Sequence, residues 1–277
     1  MKKILVPCDF SVTSTQAFKF AAAIARQGKG EIVLLHIVEL PVLRHGPVPI
    51  NALEKSYLKK IKERVATDVD RMINKWGKGF KVSFVLDHGE VNHTIIRHIK
   101  KHKIDLIVMG SHGASGLREF FVGSNAEKIV RNASVPVITV KKQLKSKIKN
   151  IVFATDLSSI PSKMSERLKA LQKFFNANLH IVYVNTPFNF KTNDSLQTQV
   201  TEFIKKNGFT RNSTFTIFND QDEVSGIRNF AKKINADLVA LPTQSKKGLS
   251  HFLFGSVAED VTNHITCPIW TCSTESV

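Results

Sequence analysis

The sequence holds only three cysteines, Cys8, Cys267 and Cys272. Three thiols form no even disulfide framework, and the expected setting is reducing and intracellular. No run of 18 apolar residues occurs, so no membrane-spanning helix is expected. No Gly-x-x-x-x-Gly-Lys-[Ser/Thr] is present and no Gly-x-Gly-x-x-Gly follows a strand, which removes the P-loop and dinucleotide fingerprints. Acidic residues are few beside basic ones, 23 against 40, for a formal net charge of +17. Residues 1–143 carry 24 basic and 12 acidic side chains, and residues 144–277 carry 16 and 11. Such a field draws anions, and a polyanion-binding module is one reading of it. No recognition helix, zinc finger or aromatic stacking motif accompanies the charge, so Lys55, Lys59, Lys60 and Lys62 read as a solvated helix face and nucleic acid is not the expected partner. Met1-Lys2-Lys3 before Ile4-Leu5-Val6 has the charge order of a signal peptide, but Pro7 and Asp9 break the run, and it reads as a strand.

What is present is a chain of 277 residues, enough for two domains that each bury a core. Lys3 to Pro7 reads as a strand. A helix follows from Ser11 or Thr13, where Thr13-x-x-Gln16 offers a capping box. Its inward face is Ala17, Ala21, Ile24 and Ala25. Ile32 to Val38 is a nearly all-apolar strand. Pro41 to Pro49 is a loop. Leu53, Tyr57, Ile61, Val65, Met72 and Trp76 mark a long amphipathic helix. Lys81 to Leu86 is a strand, and Glu90 to His102 is a helix with Ile95, Ile96 and Ile99 inward. Leu106 to Met109 and Val135 to Val140 are strands flanking a glycine loop and a helix. This alternation predicts a parallel sheet with right-handed crossovers.

Between those last two strands lie Gly110, Gly113, Gly116 and Gly123, then Ser124-x-x-Glu127 in front of Ile129 and Val130. The latter reads as a capping box. Glycines admit close approach and positive φ, and the first amides of a helix are unpaired at the positive end of its dipole. Together they suit a phosphate. The bland alternative is a tight turn at Gly123 and a cap at Ser124.

The chain then begins again. After a linker from Lys141 to Lys149 with five lysines, Asn150 to Ser158 repeats Lys3 to Ser11. Ala236 to Glu259 repeats the glycine stretch without a gap, with Asp105 and Asp237, and Gly123 and Gly255, both 132 apart. This is a domain duplication, with boundaries at 1–143 and 144–277. The second loop departs from the first. Pro242 stands for Gly110 and Ser245 for Gly113, so an amide is lost and close approach is limited, although Gly255 and Ser256 survive. Lys246 and Lys247 read as solvated loop residues.

The spacing Gly110-x-x-Gly113, nine residues, Gly123-Ser124, with Met-Gly-Ser-His-Gly before and Gly-Ser-x-Ala-Glu-Lys after, resembles the ATP-binding signature of the universal stress protein family. The resemblance covers nearly the whole chain in two repeats. It implies two tandem open parallel five-stranded sheets with helices on both faces, Rossmann-like and adenine nucleotide alpha-hydrolase-like, related by a pseudo-two-fold. It implies ATP with Mg2+ in the first repeat, with the ligand site drawn from Pro7, Cys8, Asp9, Val38, Met109, Gly110, Ser111, His112, Gly113, Gly123, Ser124 and Asn125. In that reading Asp9 accepts from ribose hydroxyls, although capping the next helix is its alternative. The backbone at Val38 reads adenine, and Gly113, Gly123, Ser124 and Asn125 face phosphates. His112 could touch a phosphate or Mg2+; Arg118 reads as a solvent-facing loop residue. A slow ATPase or adenylate-transferring enzyme of the same fold is the alternative class, though no catalytic base or Walker-type lysine is evident. Cys8 has no base placed to activate it. His98 and His102, with His93 nearby, read as a surface pair without a third metal ligand. The final strands, Val135 to Val140 and Cys267 to Cys272, read as edges, and Pro136 and Pro268 suit such positions. They are expected to pair within one chain as an internal pseudo-dimer, with a homodimer of chains also open.

Overall fold

Short aliphatic runs bounded by polar turns suit strands covered on both faces, and most described strands are accordingly buried, whereas Lys81–His88 and Ser213–Asn219 are largely half-buried. The computed structural model describes residues 1–39, 50–111, 123–141, 147–209, 212–243, 261 and 265–273. It packs as two units, Met1–Gly116 and Leu117–Val277.

The first unit runs β1 (Lys3–Pro7), α1 (Val12–Gly28), β2 (Glu31–Val38), α2 (Ile50–Trp76), β3 (Lys81–His88), α3 (Val91–His102) and β4 (Leu106–Gly110). Its strands are all parallel in the order β3-β2-β1-β4. Ile4, Leu5, Val6, Ile32, Leu34, Leu106, Ile107 and Val108 are buried, so both faces of the sheet are covered. α1 starts at the cap Ser11, whose side chain accepts from the Ser14 amide, so the alternative box from Thr13 is not used. Lys29 and Lys103 close α1 and α3 in left-handed conformations, each returning an amide to the last turn. The inward face of α1 is as expected, with Ala17, Ala21, Ile24 and Ala25 buried. Two helix readings are corrected. Tyr57 is exposed; α2 buries Val65 and Met72 as expected, and Val69 besides. α3 buries Thr94, Ile95, His98 and Ile99, leaving Ile96 only half-buried.

The second unit contains α4 (Ser124–Asn132), β5 (Val137–Val140), β6 (Asn150–Ala154), α5 (Ser162–Phe175), β7 (Asn178–Asn185), α6 (Asn193–Asn207), β8 (Ser213–Asn219), α7 (Glu223–Lys233), β9 (Leu238–Thr243) and β10 (Ile269–Ser273). Strand order is β5-β10-β9-β6-β7-β8, parallel except at β5 and β10. There the two final strands of the repeats form an antiparallel ladder, with Thr139 opposite Ile269, Ile138 opposite Trp270 and Val137 opposite Thr271. The Thr271 hydroxyl adds a bond to the Val137 carbonyl at 3.3 Å. That ladder explains why α4 and β5, which end the first repeat in sequence, pack with the second unit.

One device recurs in both repeats. The carboxylate of Asp105, just before β4, accepts from the Lys2 and Lys3 amides at 2.9 and 3.0 Å. Asp237, just before β9, accepts from the Lys149 and Asn150 amides at the same two distances. Each aspartate ties the starts of two neighbouring strands and satisfies amides that the ladder leaves unpaired.

Candidate functional site

In an open parallel sheet the carboxyl ends of the strands, near a reversal of chain order, form the mouth where ligands bind. β1 lies between β2 and β4, so Pro7, Cys8 and Asp9 stand at that reversal in the first unit. The Cys8 amide still belongs to the sheet, donating to the Leu35 carbonyl at 2.8 Å. Its thiol is buried against the Ser14 hydroxyl (3.6 Å) and the Met72 sulfur (4.0 Å). Burial pushes that thiol up to about 11, against the opposing pull of the Phe10 amide and Ser14, so it stays protonated at neutral pH.

Asp9 is exposed, and its carboxylate accepts from the Ser11 amide at 3.0 Å. Phe10 sits between them in the left-handed region, φ 63°, with its ring 5.0 Å from that of His36. His36 Nδ1 lies 2.7 Å from the Cys8 carbonyl. A carbonyl only accepts, so Nδ1 carries the proton and the ring is fixed beside the mouth. The second repeat builds the same turn. Asp156 accepts from the Ser158 amide at 2.9 Å, and Leu157 has φ 67°. Thr155 Oγ1 accepts from the Leu157 amide as Cys8 Sγ accepts from Phe10. Asp9 therefore shapes the strand-to-helix turn, whatever else it meets.

The start of α1 is rich in hydroxyls. Ser11 Oγ lies 3.1 Å from Thr13 Oγ1 and 3.3 Å from Ser14 Oγ, and Ser14 donates back to the Ser11 carbonyl. Thr13 presses on the end of β4. A Cβ at Gly110 would fall 2.9 Å from Thr13 backbone and side-chain atoms, so Gly110 is required by this packing alone. Met109 and Ser111 on either side are buried.

In the second unit, α4 opens differently from the capping-box reading. The cap is Gly123, in extended backbone (φ −62°, ψ 143°), and Ser124 is already the first helical residue. The Glu127 amide bonds back to the Gly123 carbonyl at 3.1 Å, and the Glu127 carboxylate pairs with Arg131 at 2.8 Å. A cap must have non-helical backbone, and glycine takes that place here. Ser124 and Asn125 are exposed, while Ala126 and Ile129 anchor the helix. Val38 ends β2 beside His88 of β3, and its carbonyl accepts from the Gly89 amide at 3.1 Å. His112, Gly113, Arg118, Ser245, Gly255 and Ser256 lie outside the described residues.

In the histidine pair of α3, read from sequence as lying on the surface, His98 is buried and His102 half-buried. His98 is 1% exposed. Its Nε2 donates to Asp87 Oδ2 at 2.6 Å, where Arg97 also donates at 2.7 Å. The His102 ring stacks on it, centroids 5.2 Å apart and planes 6° from parallel. The stripe Thr94, His98, His102 runs beside Ile95 and Ile99 at helical spacing, a signal that was there to be read. Among the described residues no cluster of three or more histidine, cysteine or carboxylate groups is arranged to hold a metal, and no helix is long and apolar enough to cross a membrane.

Comparison with known proteins agrees with this architecture. A universal stress protein of Methanocaldococcus jannaschii is 33% identical over 145 residues, 52% of this chain and 84% of that protein. A second from the same organism is 27% identical over 155 residues, 51% of this chain and 96% of that protein. Among solved structures, a universal stress protein from Archaeoglobus fulgidus superposes with a TM-score of 0.75 at 22% identity, covering 99% of this chain and 98% of that one. The model of the universal stress protein family matches twice, over residues 1–141 and 147–273. The chain belongs to the universal stress protein family, in its tandem two-domain form.

Proposed function

We propose that the first repeat, residues 1–143, holds one ATP with Mg2+ beyond the carboxyl ends of its strands, and that the chain acts through this nucleotide in the family's stress-response role, in the cytoplasm. The observation that carries the reading is the contrast between repeats: Gly110, Gly113, Gly123 and Ser124 are all present in the first, whereas Pro242 and Ser245 interrupt the second. The amides at Gly123, Ser124 and Asn125 suit phosphate oxygens, because the first amides of α4 have no partner inside the helix. His112 and Gly113 complete the loop. Exposed Asp9 suits ribose hydroxyls, the Val38 backbone suits adenine, and Pro7, Cys8, Met109 and Ser111 form the strand ends around them. No protein cage for Mg2+ is arranged by the described residues. The ion would be held chiefly by phosphates and water with Asp9 or hydroxyls nearby, neutralising phosphate charge. Replacing Gly123 with Val puts a branched side chain at the phosphate approach. We expect ATP binding to be lost with the circular dichroism spectrum retained; ATP binding equal to that of the parent would remove the phosphate role of this loop.

A further inference from the structure

The Asp87–His98–His102 cluster has no part in the site just described, and its chemistry is unusual for a core. Asp87 is fully engaged, taking Arg97 and His98 on Oδ2 and the His88 amide on Oδ1 at 2.8 Å. The other nitrogen of His98, Nδ1, and Nε2 of His102 are both buried with no hydrogen-bond partner among the described residues. A proton added at either nitrogen becomes a buried donor with nothing to receive it, and with both rings charged two cations lie face to face. Asp87 can offset a charge on His98 through Nε2, but at His102 the neighbours give no such relief. Lys101 lies on α3 itself, and Lys3 faces His102 from β1. His88 of β3 lies on the other side of Asp87. Among the described residues the one further carboxylate facing His102 is Glu31 of β2, already bonded to Lys3 at 2.8 Å and near Lys81 of β3 at 3.7 Å.

The second repeat supplies an internal control. Phe218 occupies the ladder position of Asp87, opposite Val184 as Asp87 is opposite Ile37. Phe230 stands at the same distance from its helix cap, Asp222, as His98 does from Glu90, and Ile234 likewise matches His102. Phe218 and Phe230 pack edge to face at 5.6 Å within an apolar cluster. The fold therefore holds here without charge, and buried charge seldom improves stability over apolar packing.

The cluster also touches the mouth. Asp87 holds the His88 amide, Thr94 of α3 donates to the His88 carbonyl at 3.4 Å, and the next amide, Gly89, is bonded to the Val38 carbonyl. Gly89 has φ +112°, so this turn is special to glycine.

We propose that His102, stacked on the Asp87-bound His98, forms an acid-responsive latch: protonation of His102 releases α3 from β3 and, through His88 and Gly89, loosens the end of β2 at Val38. The sign is fixed by burial. Desolvation, then His98 and Lys101, lower the His102 proton affinity in the folded chain. The opened state consequently binds the extra proton below the ordinary histidine value of 6.5, and acid favours opening. The second half of the proposal, an effect on ligand at Val38, rests on the nucleotide reading above; the first half does not.

The test uses hydrogen exchange of the full chain without nucleotide, at about pH 8 and about pH 5.5, corrected for intrinsic exchange. In the parent, α3 amides should lose at least about tenfold in protection at the lower pH. The triple variant Asp87→Phe, His98→Phe, His102→Ile copies the second repeat and should lose that response. His102→Leu, which keeps the Asp87–His98 pair, should reduce it and serves if the triple variant fails to fold. A parent without acid-induced exchange in α3, or variants that respond as the parent does, would overturn the latch. In a second arm, Mg-ATP affinity is measured for parent and variants at each pH, so that the titration of ATP itself cancels. An acid-weakened affinity confined to the parent supports the link to Val38; equal pH dependence in all chains overturns it. Absence of ATP binding at both pH values with the exchange response intact overturns the nucleotide reading and leaves the latch standing.

Discussion

Asp87 and His98 meet at 2.6 Å in the first repeat, where Phe218 and Phe230 meet ring to ring in the second. One fold thus solves the same contact, a strand end against the middle of a helix, once with a carboxylate hydrogen-bonded to a histidine and once with aromatic packing. The two solutions differ in what they do with pH and in what a single substitution costs.

Asp87→Ala should destabilise the first unit by about 1–3 kcal/mol, because His98 and Arg97 lose their acceptor while His98 stays buried. Burial alone would raise the Asp87 carboxyl, but the bonds from His98, the His88 amide and Arg97 outweigh it and hold the group at about 2, against an ordinary 3.8. A depressed carboxylate contributes its full stability above the unfolded value and loses it as pH falls through the folded one. This contribution should therefore fade between about pH 4 and pH 2, and the double variant Asp87→Phe, His98→Phe should lack it. Denaturation curves of the variants at pH 7 and pH 3 would check both points. A double variant with the same acid loss as the parent would contradict them.

Gly110→Ala tests a packing demand that is separate from any ligand. The new Cβ would meet Thr13 at 2.9 Å, against backbone as well as side chain, so something must shift. The expected cost is about 1–3 kcal/mol in urea denaturation without nucleotide. A variant as stable as the parent would show that α1 yields freely at this point.

Cys8 and Cys272 should be slow to alkylate in the native chain. Both thiols are raised by burial, Cys8 to about 11, and Cys272 is only partly relieved by Arg167. Cys267 is half-buried and should react first. Mass spectrometry after timed iodoacetamide treatment near pH 8 would rank the three. Modification of Cys8 as fast as in the unfolded chain would contradict the burial argument.

Much of this was legible from residue order, and for physical reasons. Strands covered on both faces are plain aliphatic runs, so β1, β2 and β4 stand out. Asp105 and Asp237 mark the duplication because each serves the corresponding two amides of its own repeat. The turn after β1 repeats as Cys8-Asp9-Phe10-Ser11 and Thr155-Asp156-Leu157-Ser158, although nothing local says that Phe10 and Leu157 take positive φ. What stayed hidden depends on partners distant in sequence. Helical spacing puts His98 on the inward face, but that Asp87 is its partner is not readable from residue order. Nothing near Gly110 in the sequence says that Thr13 lies against it. Ser124 carries every sign of a cap, yet Gly123 takes the non-helical backbone and the cap with it.

The central claim is a single nucleotide site in a chain built of two similar domains. Calorimetric titration of the parent chain with Mg-ATP measures it directly. A stoichiometry near one, abolished by Gly123→Val, is the expected result; two equivalent sites, or binding that survives that substitution, would contradict it.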